Sequence, residues 1–259
     1  MTRRLIDLSI TLEAGLPSDP EMMIPNIVYS DHLQGADQML QFFPGLSKDQ
    51  LPGGLGWAFE LVTLATHSGT HLDAPYHYHP TQDRGRPALT IDQIPLEWCF
   101  SDGVLLDFSG KADGERITAA DVEQELKRIG YNLKPLDIVL VRTGADAYWG
   151  RAEYLVRGAG MTRESTLYLT GQGIKVVGID AWSWDRPLSI LAKEFQETGN
   201  PEVIWEAHFA GIEQGYCHME KLANLGALPK PFGFKVACFP VKIKSASAGW
   251  VRPVAVFED

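Results

Sequence analysis

The chain alternates between short runs that are apolar throughout and longer stretches with helical spacing. Residues 103–108 (Gly-Val-Leu-Leu-Asp-Phe), 137–142 (Asp-Ile-Val-Leu-Val-Arg) and 174–179 (Ile-Lys-Val-Val-Gly-Ile) are almost continuously apolar and too short for buried helices. They predict strands covered on both faces. Between them, Thr118 caps a helix to about Ile129, with Asp121 and Glu123 early and Lys127 and Arg128 late, the order the helix dipole favours. Thr162 opens a second helix to about Gly171, so strand–helix–strand units recur over 103–142 and 137–179. Residues 4–12, 58–66, 234–243 and 250–257 predict further strands, and short helices are expected around 203–211 and 218–225. The pattern predicts one α/β domain over 1–259, with a mixed β-sheet and flanking helices.

Residues 13–57 break this pattern. They are rich in Gly, Pro, Met and aromatics without helical or strand period, and Met22, Met23, Met39, Phe42, Phe43 and Trp57 make them too apolar for a solvated linker. The segment reads as an irregular lid or dimer arm.

Composition changes the picture in three ways. A chain of 259 residues can bury a sizeable core without disulfides. Its formal net charge of −10, with no block of Lys or Arg, disfavours nucleic acid and anionic membrane as partners and leaves small molecules open. Three scattered cysteines (Cys99, Cys217 and Cys238) suggest no disulfide framework and a reducing compartment. With no signal-peptide core after Met1 and no run of about 18 apolar residues, a cytoplasmic location is expected.

The chemistry concentrates in His67-Ser-Gly-Thr-His71-Leu-Asp73-Ala-Pro-Tyr-His77. An isolated histidine is usually a satisfied core or surface group. Here His67, His71, His77 and His79, four of the chain's seven histidines, fall close together around an aspartate. If the preceding strand continues, positions 67, 71 and 73 share one face. Gly69 would clear that face, and Pro75 would end the ladder and turn His77 back toward it. Two imidazoles and a carboxylate suit Zn²⁺, Mn²⁺ or Fe²⁺. A second constellation, His208, Glu213, His218 and Glu220 with Glu206 close by, is weaker, because such Glu-rich stretches are usually solvated helix faces. Trp182 and Trp184 alternate after a strand, so either could face a pocket and the other the core. No GxSxG, HExxH, P-loop or GxGxxG is present.

Segment 67–77 resembles the HxGTHxDxPxH signature of the cyclase family, which contains bacterial kynurenine formamidases and isatin hydrolases. Asp180-Ala-Trp-Ser-Trp-Asp-Arg-Pro187 is similar to the strand-end motif of its longer, isatin hydrolase-like branch. Tyr216–Leu225 resembles its glutamate-bearing segment, and Ser245–Arg252 its closing glycine turn. The resemblance implies a β-barrel-like core in a dimer or higher homo-oligomer. It implies that His67, His71 and Asp73 hold a first Mn²⁺ or Zn²⁺, and that His77 is the catalytic proton shuttle. In two-metal members, Asp73 would bridge to a second ion held by His208 and Glu220, and isatin hydrolase-like members are described with one Mn²⁺. Glu220 is expected in the first turn of a short helix, with His208 and Glu220 facing the cavity of His71 and Asp73.

The expected activity is hydrolysis of the C–N amide bond of a small aryl amide or lactam by metal-activated water. The alternatives are an arylformamidase acting on N-formylkynurenine, favoured by the His208/Glu220 pair, and a non-catalytic metal- or ligand-binding protein of the same fold.

Overall fold

The computed structural model describes residues 3–258. The domain expected over 1–259 exceeds it only at Met1, Thr2 and Asp259, which lie outside the described residues. Nine strands form the main sheet: β1 (Arg3–Asp7), β4 (His71–Asp73), β7 (Phe100–Asp107), β9 (Ile138–Arg142), β11 (Val176–Ile179), β12 (Cys217–Glu220), β13 (Phe232–Ala237), β14 (Ala248–Trp250) and β15 (Val254–Glu258). Three short ribbons lie apart: β2 (Asn26–Ser30) with β3 (Phe59–Thr63), β5 (Thr81–Gln82) with β6 (Arg86–Pro87), and β8 (Arg116–Ile117) with β10 (Gly160–Met161).

The sheet order is β1-β15-β13-β7-β9-β11-β12-β4-β14. β7, β9, β11 and β12 run parallel, while β4 and β14 complete one end antiparallel. The mixed α/β domain is confirmed, and the expected barrel-like core is a curled half-barrel whose terminal strands are β1 and β14.

Alternation along each central strand builds two cores. Leu105, Ile138, Leu140, Val176, Met219 and Leu72 face one side. Val104, Leu106, Val139, Val141, Val177 and Ile179 face the other, under α3 (Ala119–Ile129) and α4 (Arg163–Gly171). Both helices start at the expected threonines, each accepting a backbone N–H in a capping box. The side chains of His71, Asp73, His218 and Glu220 belong to the helix-covered side, by the parity that sends Leu72 and Met219 to the other.

Several local expectations fail. Residues 218–225 do not form a helix: 217–220 are β12, drawn into extended form by ladders to β11 and β4. The strand expected over 58–66 ends at Thr63, and 64–70 turn before β4 begins. The strand expected over 234–243 ends at Ala237. Residues 13–57 are not irregular throughout, because α1 (His32–Phe42) starts at a capping box of Asp31 and Gln34 and packs beside the β2–β3 ribbon. Gly35 interrupts its apolar period. A Cβ there would sit 1.7 Å from the Trp57 carbonyl oxygen, so only glycine allows this close approach of helix and backbone. The sequence reading leaves 188–198 unassigned. α5 (Leu188–Thr198) forms there on Leu188, Leu191 and Phe195 and ends at left-handed Gly199. No described helix is long and apolar enough to cross a membrane.

Candidate metal centre

The cluster is built by register. Across the antiparallel β4–β12 pair, Asp73 stands opposite His218 and His71 opposite Glu220. Two strands reading His-x-Asp and His-x-Glu thus present four polar side chains on one face as cross-strand neighbours. All four are buried. His218 Nε2 lies 3.1 Å from Asp73 Oδ2 and 3.1 Å from Glu220 Oε1. His71 Nε2 lies 3.3 Å from Asp73 Oδ1 and 3.6 Å from Glu220 Oε2.

Loops bring the remaining members. His67 reaches the cluster from the turn before β4, not along a shared strand face as parity suggested. Its Nδ1 is 2.8 Å from Asp73 Oδ1 and its Nε2 3.0 Å from the Ser247 hydroxyl. Pro75 occupies the first position of the single helical turn α2 (Pro75–Tyr78). That turn carries His77 back until its Nε2 is 3.8 Å from Asp73 Oδ2, as expected. His208 stands on the short helix α6 (Glu206–Phe209), within the expected 203–211. Its Nδ1–H donates to Asp185 Oδ2 at 2.5 Å, while Nε2 faces Glu220 Oε1 at 3.6 Å.

All six sequence-derived candidates therefore meet in one place, although Glu220 does so from a strand. Two sets of donor atoms lie within 4.8 Å of one another: Asp73, His208, His218 and Glu220, and His67, Asp73 and His77. His218 belongs to the first set but not to the ligands inferred from sequence. Its signal was the His-x-Glu alternation, hidden by reading the stretch as helical. Glu213 pairs with Arg163 at the surface, and His79 is held by Thr81, so neither joins the cluster.

The electrostatics fit a divalent cation. His71 Nδ1–H donates to the Gly69 carbonyl at 2.8 Å, so in the neutral ring Nε2 presents a lone pair. That nitrogen and both carboxylate oxygens of Asp73 are buried without a directed hydrogen bond. Converging lone pairs in a dry site repel one another unless a cation lies among them. The donors are nitrogen and oxygen with no thiolate, a set suited to Zn²⁺ or Mn²⁺. Asp185, receiving the His208 ring and the backbone N–H groups of Ala207 and His208, supplies the outer support typical of metal-bound histidine. Burial pushes His77 down to about 4, leaving its imidazole neutral. Burial also opposes the charging of His218, but the Asp73 and Glu220 carboxylates beside its Nε2 hold it up to about 9, so without a metal this ring carries the positive charge that a bound cation would replace.

A cavity of about 310 Å³ opens on the cluster, lined by Met22, Met23, Ala65, His67, His77, Trp182, Ser183, Leu188, Trp205, His208 and Glu220. Trp182 faces this cavity. Trp184 is core, stacked on His218 with its indole N–H donated to Thr166. Trp205 adopts left-handed backbone (φ +54°) and stacks on His208 at 4.2 Å between ring centroids.

A sequence model of the family described as "Putative cyclase" matches residues 6–186. A kynurenine formamidase of Erythrobacter litoralis is 27% identical over 256 residues, covering 97% of this chain and 93% of its own length. One from Salinibacter ruber is 26% identical over 200 residues, covering 74% and 77%. Isatin hydrolase A of Ralstonia solanacearum matches in structure with a TM-score of 0.76 at 22% identity, over 99% of this chain and 92% of that one. Isatin hydrolase A of Labrenzia aggregata gives 0.74 at 21%, over 99% and 94%. At such identity, these likenesses of structure speak to the fold.

Proposed function

The chain belongs to the cyclase family, and from that premise we propose that it is a metal-dependent hydrolase cleaving the C–N bond of a small, neutral aryl lactam. The observation that carries the substrate class is the cavity wall. Trp182, Trp205, Met22, Met23 and Leu188 offer flat apolar surface, and among the described residues no Lys or Arg lines it. N-formylkynurenine carries an amino-acid ammonium and carboxylate, which would be stripped of water there without a cationic partner for the carboxylate. The second reading, an arylformamidase, is favoured by the kynurenine formamidase relatives and by the approach of His208 and Glu220 to Asp73. A third, a metal- or ligand-binding protein without turnover, gives the neutral His77 at the cavity edge no task.

His67, His71 and Asp73 would hold the first Mn²⁺ or Zn²⁺, and His208 and Glu220, with His218, a second where two bind. Such an ion lowers the pKa of water toward neutrality and polarises a carbonyl. His77 takes a proton from the attacking water and returns it to the leaving nitrogen. Its place beside His67, with ring centroids 4.1 Å apart, keeps it at the cavity edge, and Trp205 stands edge-on to it at 5.1 Å. The aromatic and methionine walls hold the ring and exclude bulk water.

We assign 13–57 two parts: Met22 and Met23 as the lid, and β2 with α1 as an arm that, together with β3 just beyond the segment, lies against a second copy of the chain. The arm leaves Tyr29, Phe42, Phe43, Phe59, Leu61 and Val62 exposed, more apolar surface than isolated side chains leave. The substrate test is turnover of isatin against N-formylkynurenine by Mn²⁺- and Zn²⁺-loaded protein. Preference for isatin supports the lactam reading, preference for the formamide reverses the order, and turnover of neither removes both.

A further inference from the structure

Lys221 is fully buried, directly follows Glu220 and does not itself line the cavity. Its φ is +58°, a conformation usual for Gly or Asn and costly for a long side chain. A buried charge on strained backbone persists only where its surroundings hold it there. Its ammonium pairs with the buried Asp19 carboxylate and donates to the His67 carbonyl at 2.8 Å. It also stands 5.5 Å from the Trp182 ring centroid. Asp19 Oδ1 in turn accepts the Trp182 indole N–H at 2.9 Å. One ion pair therefore joins the early chain, the wall of the cavity and the turn that carries His67.

Two neutral clips flank it. Gly150 N–H donates to the Ser18 hydroxyl at 2.7 Å, and the Ser68 hydroxyl donates to the Met23 carbonyl at 2.6 Å. Between the clips lie Met22 and Met23, which line the cavity. Met22 is 89% exposed, so its own packing does not hold this stretch down.

We propose that Lys221 is a positioning residue: through Asp19 it latches residues 18–23 over the cavity and fixes Trp182 as the surface on which the substrate ring rests. The latch acts on substrate affinity and leaves the proton-transfer step to His77. Its affinity arm rests on the lactam reading above, and its structural arm does not.

The test compares metal-loaded wild type with the double variant Asp19→Asn/Lys221→Asn. Removing both charges leaves no unpaired buried ion, Asn suits the left-handed position 221, and the amide at 19 can still accept from Trp182. A melting curve and metal content matching wild type establish that the fold is kept. Lys221→Gly in the Asp19→Asn background serves as the second variant if the first misfolds. Amide hydrogen exchange at Met23, Ile24 and Gly150, whose N–H groups donate to the Pro20 and Glu21 carbonyls and to the Ser18 hydroxyl, should accelerate by about tenfold or more. With isatin as the probe, KM should rise roughly tenfold while kcat holds within about twofold. Unchanged exchange overturns the latch whatever the substrate. Accelerated exchange with unchanged KM, or with kcat falling in place of KM, overturns its role in affinity. If wild type ignores isatin, the lactam reading has failed and the exchange result alone decides the latch.

Discussion

β3 and β4 follow one another in the chain and invert the usual distribution. β3, Phe-Glu-Leu-Val-Thr, is exposed at all five positions and pairs only with β2. β4, His-Leu-Asp, is buried at all three and is flanked on both sides by β12 and β14. The apolar strand lies outside and the polar one inside. Burial of apolar residues is a one-way rule, and a buried polar strand or an exposed apolar one is the informative case. The difference teaches that neither strand is explained by this chain's own core. On the reading proposed above, β4 would hold a cation among its lone pairs, and β3 would meet a second copy of the chain.

The comparison breaks most visibly at Asp73, the one side chain common to both donor sets. Asp73→Asn should reduce metal affinity by more than the roughly 10–100-fold that an outer-shell partner costs, and activity with it. Calorimetric titration with Zn²⁺ or Mn²⁺ measures this, and an unchanged affinity would detach β4 from the metal. His77 lies beside the same strand in a different role. His77→Ala should lower kcat by roughly 10²–10⁴-fold with metal content unchanged, and loss of metal in that variant would make it a ligand instead.

β3 should answer to a different assay. Leu61→Glu on its exposed face should convert the proposed oligomer to monomer in sedimentation, with stability of the chain itself within about 0.5 kcal/mol. A wild-type chain already monomeric would leave β3 without its proposed cover. The smallest effect belongs to a surface charge remote from both strands. Asp102 is held below its ordinary value by the ammonium groups of Lys134 and Lys235. A lowered carboxylate stabilises the fold above its unfolded pKa and loses that contribution as pH falls through the folded one. Asp102→Asn should therefore cost at most about 1 kcal/mol at neutral pH and nothing in strong acid, as read by denaturant melts across pH.

Local pattern carried the parallel part of the fold into view. Residues 103–106 of β7, with β9 and β11, are apolar on both faces because both faces are covered there, and α3 and α4 announce themselves by threonine caps. What was not legible depends on distant partners. Tyr216–Leu225 has a composition that suits a helix, and nothing local says that 217–220 lie between β11 and β4. Misreading it cost His218, whose alternation with Glu220 mirrors that of His71 with Asp73. His67 lies beside Asp73, but by a different route from the shared strand face that parity predicts. Residues 67–70 turn, with Gly69 at φ +66°, and His67 meets Asp73 across that turn. The spacing points to a cluster, and the register of β4 against β12 sets how its side chains meet.

The central claim is that the buried polar strand pair is a metal centre, and elemental analysis coupled to turnover tests it most directly. Protein purified without chelator should hold about one to two ions of Mn²⁺ or Zn²⁺ per chain. Dialysis against chelator should remove them and abolish activity, and adding metal back should restore it. Full activity in demonstrably metal-free protein would contradict the account.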